Sequence, residues 1–298
     1  MPTNFLFDAP VLPANIDPVN HTAQAVFTFG QITPMLIFMF LAYRYQRGYG
    51  TPIPWLMMVG GLGMALVEPL VDRVGLVWFP TGGQWGIYTD YGVSQPIWLI
   101  LAYVWFFGGR AMYIWHCLEQ GRGTDRLFLV KNWATVFVID IALESVGLGL
   151  GVFFYYGNQP LQVGKFPLWW AAINSATPII LAVTVFLLRG WLKGWRVLLV
   201  VPLAPAVCAA VNGGIGWITW DAINNTTLPS IVVQLAGCAT VASALMLLRV
   251  TQGLMEVCAK AGVVALDGSQ NPRVDGFRKR IASDDARAPV PVSSGSTL

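Results

Sequence analysis

The chain has 298 residues, of which 55% are hydrophobic and only 11% are charged, and its mean hydropathy is +0.59. A soluble domain usually carries a charge on about a quarter of its residues, so this composition excludes an ordinary soluble enzyme and indicates an integral membrane protein. The net charge is only +3, and no stretch has the clustered basic residues of a nucleic-acid-binding surface, so we expect no nucleic-acid partner.

Seven stretches are long and apolar enough to cross a bilayer, which requires about 20 such residues each. None shows the alternating pattern of a membrane β-barrel, so we expect an all-α, polytopic bundle of about seven transmembrane helices. In chain order the predicted spans are 22–43, 53–72, 94–117, 132–156, 167–189, 197–220 and 228–249. They form one transmembrane domain (22–256) between an N-terminal segment (1–21) and a tail (257–298), whose polar composition predicts disorder.

Lysine and arginine are distributed unevenly between the two sides of this predicted bundle. Sixteen of the 18 lie in the tail or in and beside the loops after the first, third and fifth spans, and the other side has only Arg73 and Lys165. The positive-inside rule then predicts an N-terminus outside and a cytoplasmic C-terminus. We expect a multi-pass protein of the cell membrane that is surrounded by membrane lipid.

Two predicted spans each carry a pair of acidic residues one helical turn apart. The second contains ALVEPLVDRVG, which places Glu68 and Asp72 on either side of Pro69, and the fourth contains Asp140 and Glu144. Ionisable groups inside a membrane are costly, so they usually face a bundle interior and mark a functional site. The helical rise of about 1.5 Å per residue puts most of these acids at similar depth, and we expect them to line one cavity.

Further polar and aromatic residues are predicted at comparable depth in other spans. Asn174, Asn212 and Asp221 lie in the fifth and sixth spans, with Trp217 one turn before Asp221. Acids among aromatic rings suit acid catalysis through a cationic intermediate. A carboxylic acid that is removed from water can donate a proton, and an aromatic face stabilises the cation that forms.

Each of these residues also has a purely structural interpretation. Arg110 in the third span can form an ion pair with Asp140, Asp72 can be solvated at the interface, and Asp221 can be an ordinary loop residue. Amide side chains often link membrane helices. Glu68 is the hardest to explain in this way, because it is predicted too deep to reach water easily.

Metal and cofactor motifs are missing from the sequence. The four cysteines and two histidines form no cluster with the spacing of a zinc site or a disulfide framework. No nucleotide-binding or zinc-protease motif is found. We therefore expect neither a cofactor nor a metal. The cysteines are Cys117, Cys208, Cys238 and Cys258.

The run VEPLVDRVGLVWFPTGGQWGIYTDYGVSQPIWLILAYVWFFGG, residues 67–109, resembles the core of the AveC-like spirocyclase family. The resemblance consists of Glu-Pro-x-x-Asp, the Trp-x-Pro element after it, and a Pro-Ile-Trp that opens a span containing a tyrosine. It implies a membrane enzyme that dehydrates and cyclises a dihydroxy-ketone into a spiroketal in macrolide biosynthesis. It also implies roles for Glu68 and Asp72, and for Trp98 and Tyr103.

We therefore expect a cofactor-free cyclase that acts on a lipophilic, polyketide-like small molecule. Glu68 or Asp72 would protonate a hemiketal hydroxyl, water would leave, and an oxocarbenium ion would form against aromatic rings. The other carboxylate or Asp221 would then deprotonate the attacking hydroxyl. The residues expected to bind the substrate are Trp98, Tyr103, Glu144, Asn174, Asn212 and Trp217.

Two other functions stay open at this stage, as does the oligomeric state. Membrane cyclases of fungal meroterpenoid biosynthesis carry a Glu in the second of seven helices and an Asp late in the sixth. Glu68 and Asp221 occupy similar positions here, which would fit protonation of an epoxide or alkene in an isoprenoid. A non-catalytic carrier of a lipid-like substrate, or an accessory membrane protein, is the second alternative.

Overall fold

The computed structural model describes residues 10–14 and 16–268, which form nine α-helices and three two-stranded antiparallel sheets. The helices are α1 (His21–Tyr49), α2 (Ile53–Met64), α3 (Glu68–Gly75), α4 (Ile97–Tyr103), α5 (Arg110–Glu119), α6 (Phe128–Leu150), α7 (Leu168–Leu188), α8 (Val200–Ile223) and α9 (Ser230–Lys260). The strands are β1 (Val77–Trp78), β2 (Gly86–Asp90), β3 (Val93–Pro96), β4 (Phe154–Tyr155), β5 (Gln162–Val163) and β6 (Phe166–Pro167).

Among the described residues, six helical segments are long and apolar enough to cross a membrane. One of them runs without interruption from α4 through a π-helical segment, Val104–Gly109, into α5. The pair α2 and α3 is bent by 48° and adds a seventh span if the two helices are counted together. The expected all-α, multi-pass fold class is thus confirmed, with six or seven crossing helices.

The strands all lie at one end of the bundle, which we call the hairpin end. They belong to the connection from α3 to α4 and to the connection from α6 to α7. β1 pairs with β4, with Val77 opposite Tyr155, and this pairing joins the two connections. β2 pairs with β3 and β5 with β6. The hairpin end is therefore a cap built from both connections.

The centre of the bundle is formed by α7 and by the segment Ile97–Glu119, which are the most buried of the long helices. α7 packs against α5, α6, α8 and α9. Its alanines Ala171, Ala172 and Ala176 are fully buried, and such small residues let membrane helices approach closely. α1 and α6 lie at the periphery.

α2 crosses the π-helical segment at two glycines. A Cβ atom on Gly61 would lie 2.6 Å from the Tyr103 carbonyl oxygen and 2.8 Å from the Gly108 amide nitrogen. A Cβ atom on Gly108 would lie 2.5 Å from the Met57 carbonyl oxygen. The two backbones can approach this closely only without side chains, and the contact holds Tyr103 beside the break between α2 and α3.

Gly61→Ala is expected to lower the free energy of unfolding by about 1–3 kcal/mol, because the added methyl group overlaps backbone atoms that cannot move independently. Gly63→Ala is the matched control on the same helix, since a Cβ there meets only Pro205 at 3.7 Å. That variant should be neutral or slightly stabilising. Unfolding followed in detergent micelles measures both changes, and equal stability of the two variants would contradict the close contact.

The boundaries at the two chain ends differ partly from the prediction. α1 begins at His21, after Asn20 whose side chain accepts a hydrogen bond from the Ala23 amide (3.0 Å). α9 continues to Lys260, and Val264 beyond it is buried. The first residues of the predicted disordered tail (257–298) are thus helical or packed. Residues 1–9 and 269–298 lie outside the described residues.

Candidate functional site

The break between α2 and α3 covers residues 65–67, and Pro69 lies in the first turn of α3 directly after it. In a continuous helix the amide of residue 69 would donate to the carbonyl of Ala65, but proline has no N–H. The Tyr88 hydroxyl on β2 donates to that carbonyl instead, at 2.6 Å. Burial raises the pKa of Tyr88 to about 12, and the charges of Glu68 and Asp72 add to this effect. The hydroxyl therefore stays a neutral donor at ordinary pH.

The far end of α3 is held by side chains from two other parts of the chain. Asn224 Nδ2, just after α8, donates to the Val74 carbonyl at 2.7 Å. Gln159 Nε2, between β4 and β5, donates to the Gly75 carbonyl at 3.0 Å. These bonds use carbonyls that a helix end leaves without amide partners. They fix the orientation of α3, so that Glu68 and Asp72 are both buried in the bundle.

Each acid of α3 accepts a hydrogen bond from a neutral side chain. The Tyr103 hydroxyl, at the end of α4, donates to Glu68 Oε2. Gln95 Nε2, on β3, donates to Asp72 Oδ2 at 3.0 Å. The second carboxyl oxygen of Asp72, Oδ1, is buried without a hydrogen-bond partner among the described residues.

The acids of α6 follow the same pattern. Asn174 Nδ2, on α7, donates to Asp140 Oδ2 at 3.2 Å. The Tyr155 hydroxyl, on β4, donates to Glu144 Oε2 at 3.0 Å. Within the described part of the chain, no lysine, arginine or histidine forms a salt bridge with any of the four acids. The four acids Glu68, Asp72, Asp140 and Glu144 are called the acid cluster below.

The ion pair expected between Arg110 and Asp140 is not formed. The guanidinium of Arg110 lies over the ring of Tyr113, 5.6 Å from its centroid, while Asp140 is bonded to Asn174. The π-helical segment directly before Arg110 explains the difference. Its wider turns shift the register of the helix that follows, so residues of α5 face a different side than an uninterrupted α-helix would present.

The acid cluster borders two adjoining cavities. The larger has a volume of about 50 Å³ and the smaller about 30 Å³. A single water needs roughly 10–15 Å³ of such volume, so the two cavities have room for a few water molecules. The residues that line both are Glu68, Trp98, Leu99, Glu144, Phe153 and Trp170.

The other walls of these cavities are mainly aromatic. The ring of Trp98 packs edge-on against Phe27 of α1, with centroids 4.8 Å apart. It also contacts Phe153 (5.5 Å) and Phe79 (5.7 Å). Such rings offer their negative faces to a cation and keep bulk water away from the acids.

Six of the residues predicted for the site line these cavities. Asp72 lines the smaller cavity, and Asp140, which had been given a structural explanation, lines the larger. The six predicted residues are Glu68, Asp72, Trp98, Tyr103, Glu144 and Asn174.

The three predicted residues of α8 lie elsewhere. Asn212 is buried, and its Nδ2 donates to the Cys208 carbonyl of its own helix at 2.9 Å. Trp217 is 65% exposed, and Asp221 is exposed near the end of the helix. Residues four apart share one helix face, so Trp217 and Asp221 together mark a face that points away from the acid cluster.

Phe153 and Tyr155 are cavity residues that the sequence analysis missed. The predicted fourth span ran to residue 156, but α6 ends at Leu150, so both residues belong to the connection from α6 to α7. Nothing in the sequence of that connection indicates that it folds back onto the acids. The sequence did contain a pattern that indicates a site role for Asp140, because Asp140 and Glu144 repeat the four-residue spacing of Glu68 and Asp72.

Among the described residues, no three His, Cys, Asp or Glu side chains are placed to hold a metal ion together. No protein-family model matches the chain, and no curated protein or solved structure matches it. The resemblance to the AveC-like family therefore stays a prediction that rests on the residues of the run 67–109.

Proposed function

We propose that the chain is a membrane enzyme that dehydrates and cyclises a lipophilic, oxygenated substrate by acid–base catalysis. The observation that supports this most is the acid cluster itself: three buried carboxyl groups and the half-buried one of Glu144, each bonded to a neutral donor and lined by aromatic rings. Like charges that share an enclosed site disfavour one another's ionisation. The cluster therefore retains protons that it can give to a substrate.

In the proposed reaction, Glu68 and Glu144 act as the acid and the base, since each borders both cavities. Glu68 donates its proton to the hydroxyl oxygen of a hemiketal, the C–O bond breaks, and water leaves. The resulting oxocarbenium ion is stabilised by the rings of Trp98 and Phe153. A second hydroxyl of the same molecule attacks the cationic carbon, and its proton passes to ionised Glu144.

The net change is the loss of one water and the formation of one ring, with no oxidant or reductant. Transfer of the proton from Glu144 back to Glu68 within the acid cluster restores the starting state. The resemblance of the run 67–109 to the AveC-like family supports a spiroketal as the product.

The proposal includes a topology of seven spans, with α2 and α3 crossing the membrane as one broken helix. The distribution of lysine and arginine supports an N-terminus outside and a C-terminus in the cytoplasm. The hairpin end then faces outward, and the acid cluster lies in the half of the membrane nearest to it. Lipid surrounds the exposed faces of α1 and α6.

The experiment that tests the reaction is a comparison of lipophilic metabolites, by mass spectrometry, in the host strain with and without the gene. Without the protein, we expect a precursor to accumulate that is heavier than the missing product by one water. Complementation with the intact gene should reverse the change. A precursor of the same mass as the product would contradict dehydration and favour the isoprenoid-type cyclase. Unchanged masses with altered export would favour a carrier.

A further inference from the structure

A third space lies at the hairpin end, directly beside the acid cluster. Its volume is about 260 Å³, and we call it the vestibule. Gly151, after α6, and Gln162 and Lys165, near β5, form its polar side. Phe153 and Tyr155 line both the vestibule and the smaller acid-lined cavity. These two side chains are therefore the partition between the vestibule and the acids.

Tyr155 has few polar and backbone restraints. It lies on β4, a strand of only two residues that pairs with β1, and its hydroxyl forms one hydrogen bond, to Glu144. Its ring contacts Phe153, Phe166 and Trp170, with centroids 5.9–6.2 Å apart. Phe153 is buried and also packs against Trp98. Movement of the partition breaks these ring contacts, but local opening of a short segment costs less free energy than unfolding of the helical core.

The volumes indicate why movement of the partition is needed. Sites for small organic ligands usually have volumes of about 300–1,000 Å³, whereas the acid-lined cavities hold only about 50 and 30 Å³. The acid-lined cavities are therefore too small for a lipophilic substrate as they stand. The adjoining vestibule, at about 260 Å³, brings the joined space to the lower end of that range.

We propose that the vestibule is the outer half of the substrate site, and that Phe153 and Tyr155 move aside to join it to the acid cluster. The inference rests on the proposed function for the reacting half of the substrate. The substrate class is an amphiphile whose reacting carbon lies among the acids and whose other end carries oxygen atoms. Lys165 and Gln162 supply N–H donors for that end.

The test measures access to the acid cluster without any turnover. The full chain, with its four cysteines replaced by alanine, receives one new cysteine by Leu99→Cys, since Leu99 borders both acid-lined cavities. The protein is placed in lipid nanodiscs and treated with sulfonatoethyl methanethiosulfonate, a small anionic thiol reagent. Intact-mass spectrometry gives the labelling rate.

We expect slow labelling when Tyr155 is present. Tyr155→Phe removes the bond to Glu144 but keeps the ring, and should raise the labelling rate roughly threefold to tenfold, the range that one hydrogen bond supports. Gln162→Trp fills the vestibule and should lower the rate severalfold. Val163→Trp is the matched control, because Val163 is the exposed neighbour on β5 that does not line the vestibule.

A labelling rate that neither Tyr155→Phe nor Gln162→Trp changes would overturn the proposal, because the reagent would then reach Leu99→Cys by another route. Equal slowing by Gln162→Trp and Val163→Trp would also overturn it. Because labelling requires no reaction at the acids, this result is separate from the metabolite comparison. The vestibule proposal can be wrong while the proposed cyclisation is right, and the cyclisation can be wrong while the vestibule proposal is right.

Discussion

Glu68→Gln is expected to reduce formation of the cyclised product by about 10²- to 10⁴-fold, the usual contribution of a general acid. Glutamine has nearly the same shape, and its amide oxygen can still accept the hydrogen bond that Tyr103 donates to Glu68. It has no carboxyl proton to give. The measurement is the ratio of product to precursor in a strain that lacks the native gene and expresses the variant.

Asp221→Asn is the matched control for this experiment. It replaces one carboxyl group of a helix by its amide, as Glu68→Gln does, but Asp221 is exposed and lies outside both acid-lined cavities. We expect product formation at the wild-type level. If Glu68→Gln keeps full turnover while folding normally, Glu68 is not the proton donor. If Asp221→Asn is the inactive variant instead, the reaction occurs away from the acid cluster.

The helical fold was predictable from the sequence because the bilayer imposes a simple length rule. Each of the seven apolar stretches overlaps a helix or a bent pair of helices, since crossing requires about 20 apolar residues. The bend in the second span is explained by Pro69, which removes a backbone donor. The hydrogen bond that Tyr88 donates to the freed carbonyl of Ala65 was not predictable, because Tyr88 reaches Ala65 from β2 only after the chain has folded.

Counting residues along a helix predicts the level of an acid in the membrane but not the direction of its side chain. It predicts similar levels for Glu68, Glu144 and Asp221. Which way each side chain points depends on how the helices pack, and α8 turns the face of Asp221 away from the acid cluster. The predicted depth alone therefore grouped Asp221 with the acid cluster, although Asp221 does not line either acid-lined cavity.

Irregular backbone accounts for the remaining differences. The expected pair of Arg110 and Asp140 assumed a regular α-helix, but the π-helical segment before Arg110 changes the face on which it lies. Tyr155 belongs to a loop, whose position depends on long-range pairing of β4 with β1. Neither feature leaves a periodic pattern in the sequence.

Leu143→Lys is expected to give a folded protein that forms no product. Leu143 lines the larger cavity between Asp140 and Glu144 on α6, and the longer side chain of lysine can place its ammonium group among the acids. An ammonium group there would pair with one of the acids and favour its ionised form. The acid cluster would then hold a fixed ion pair in place of a transferable proton, so product formation should fall at least as far as in Glu68→Gln.

Val138→Lys, on the same helix, distinguishes this explanation from a simple intolerance of lysine. Val138 is 64% exposed on the outer surface of α6, where an ammonium group would face lipid without an acidic partner. A lysine near the centre of a span costs about 2.5–3.5 kcal/mol, so thermal unfolding in nanodiscs should show Val138→Lys to be the less stable variant. The reverse order of stability would mean that the acid cluster does not compensate a cation. In that case a fixed ion pair would not explain a loss of product in Leu143→Lys.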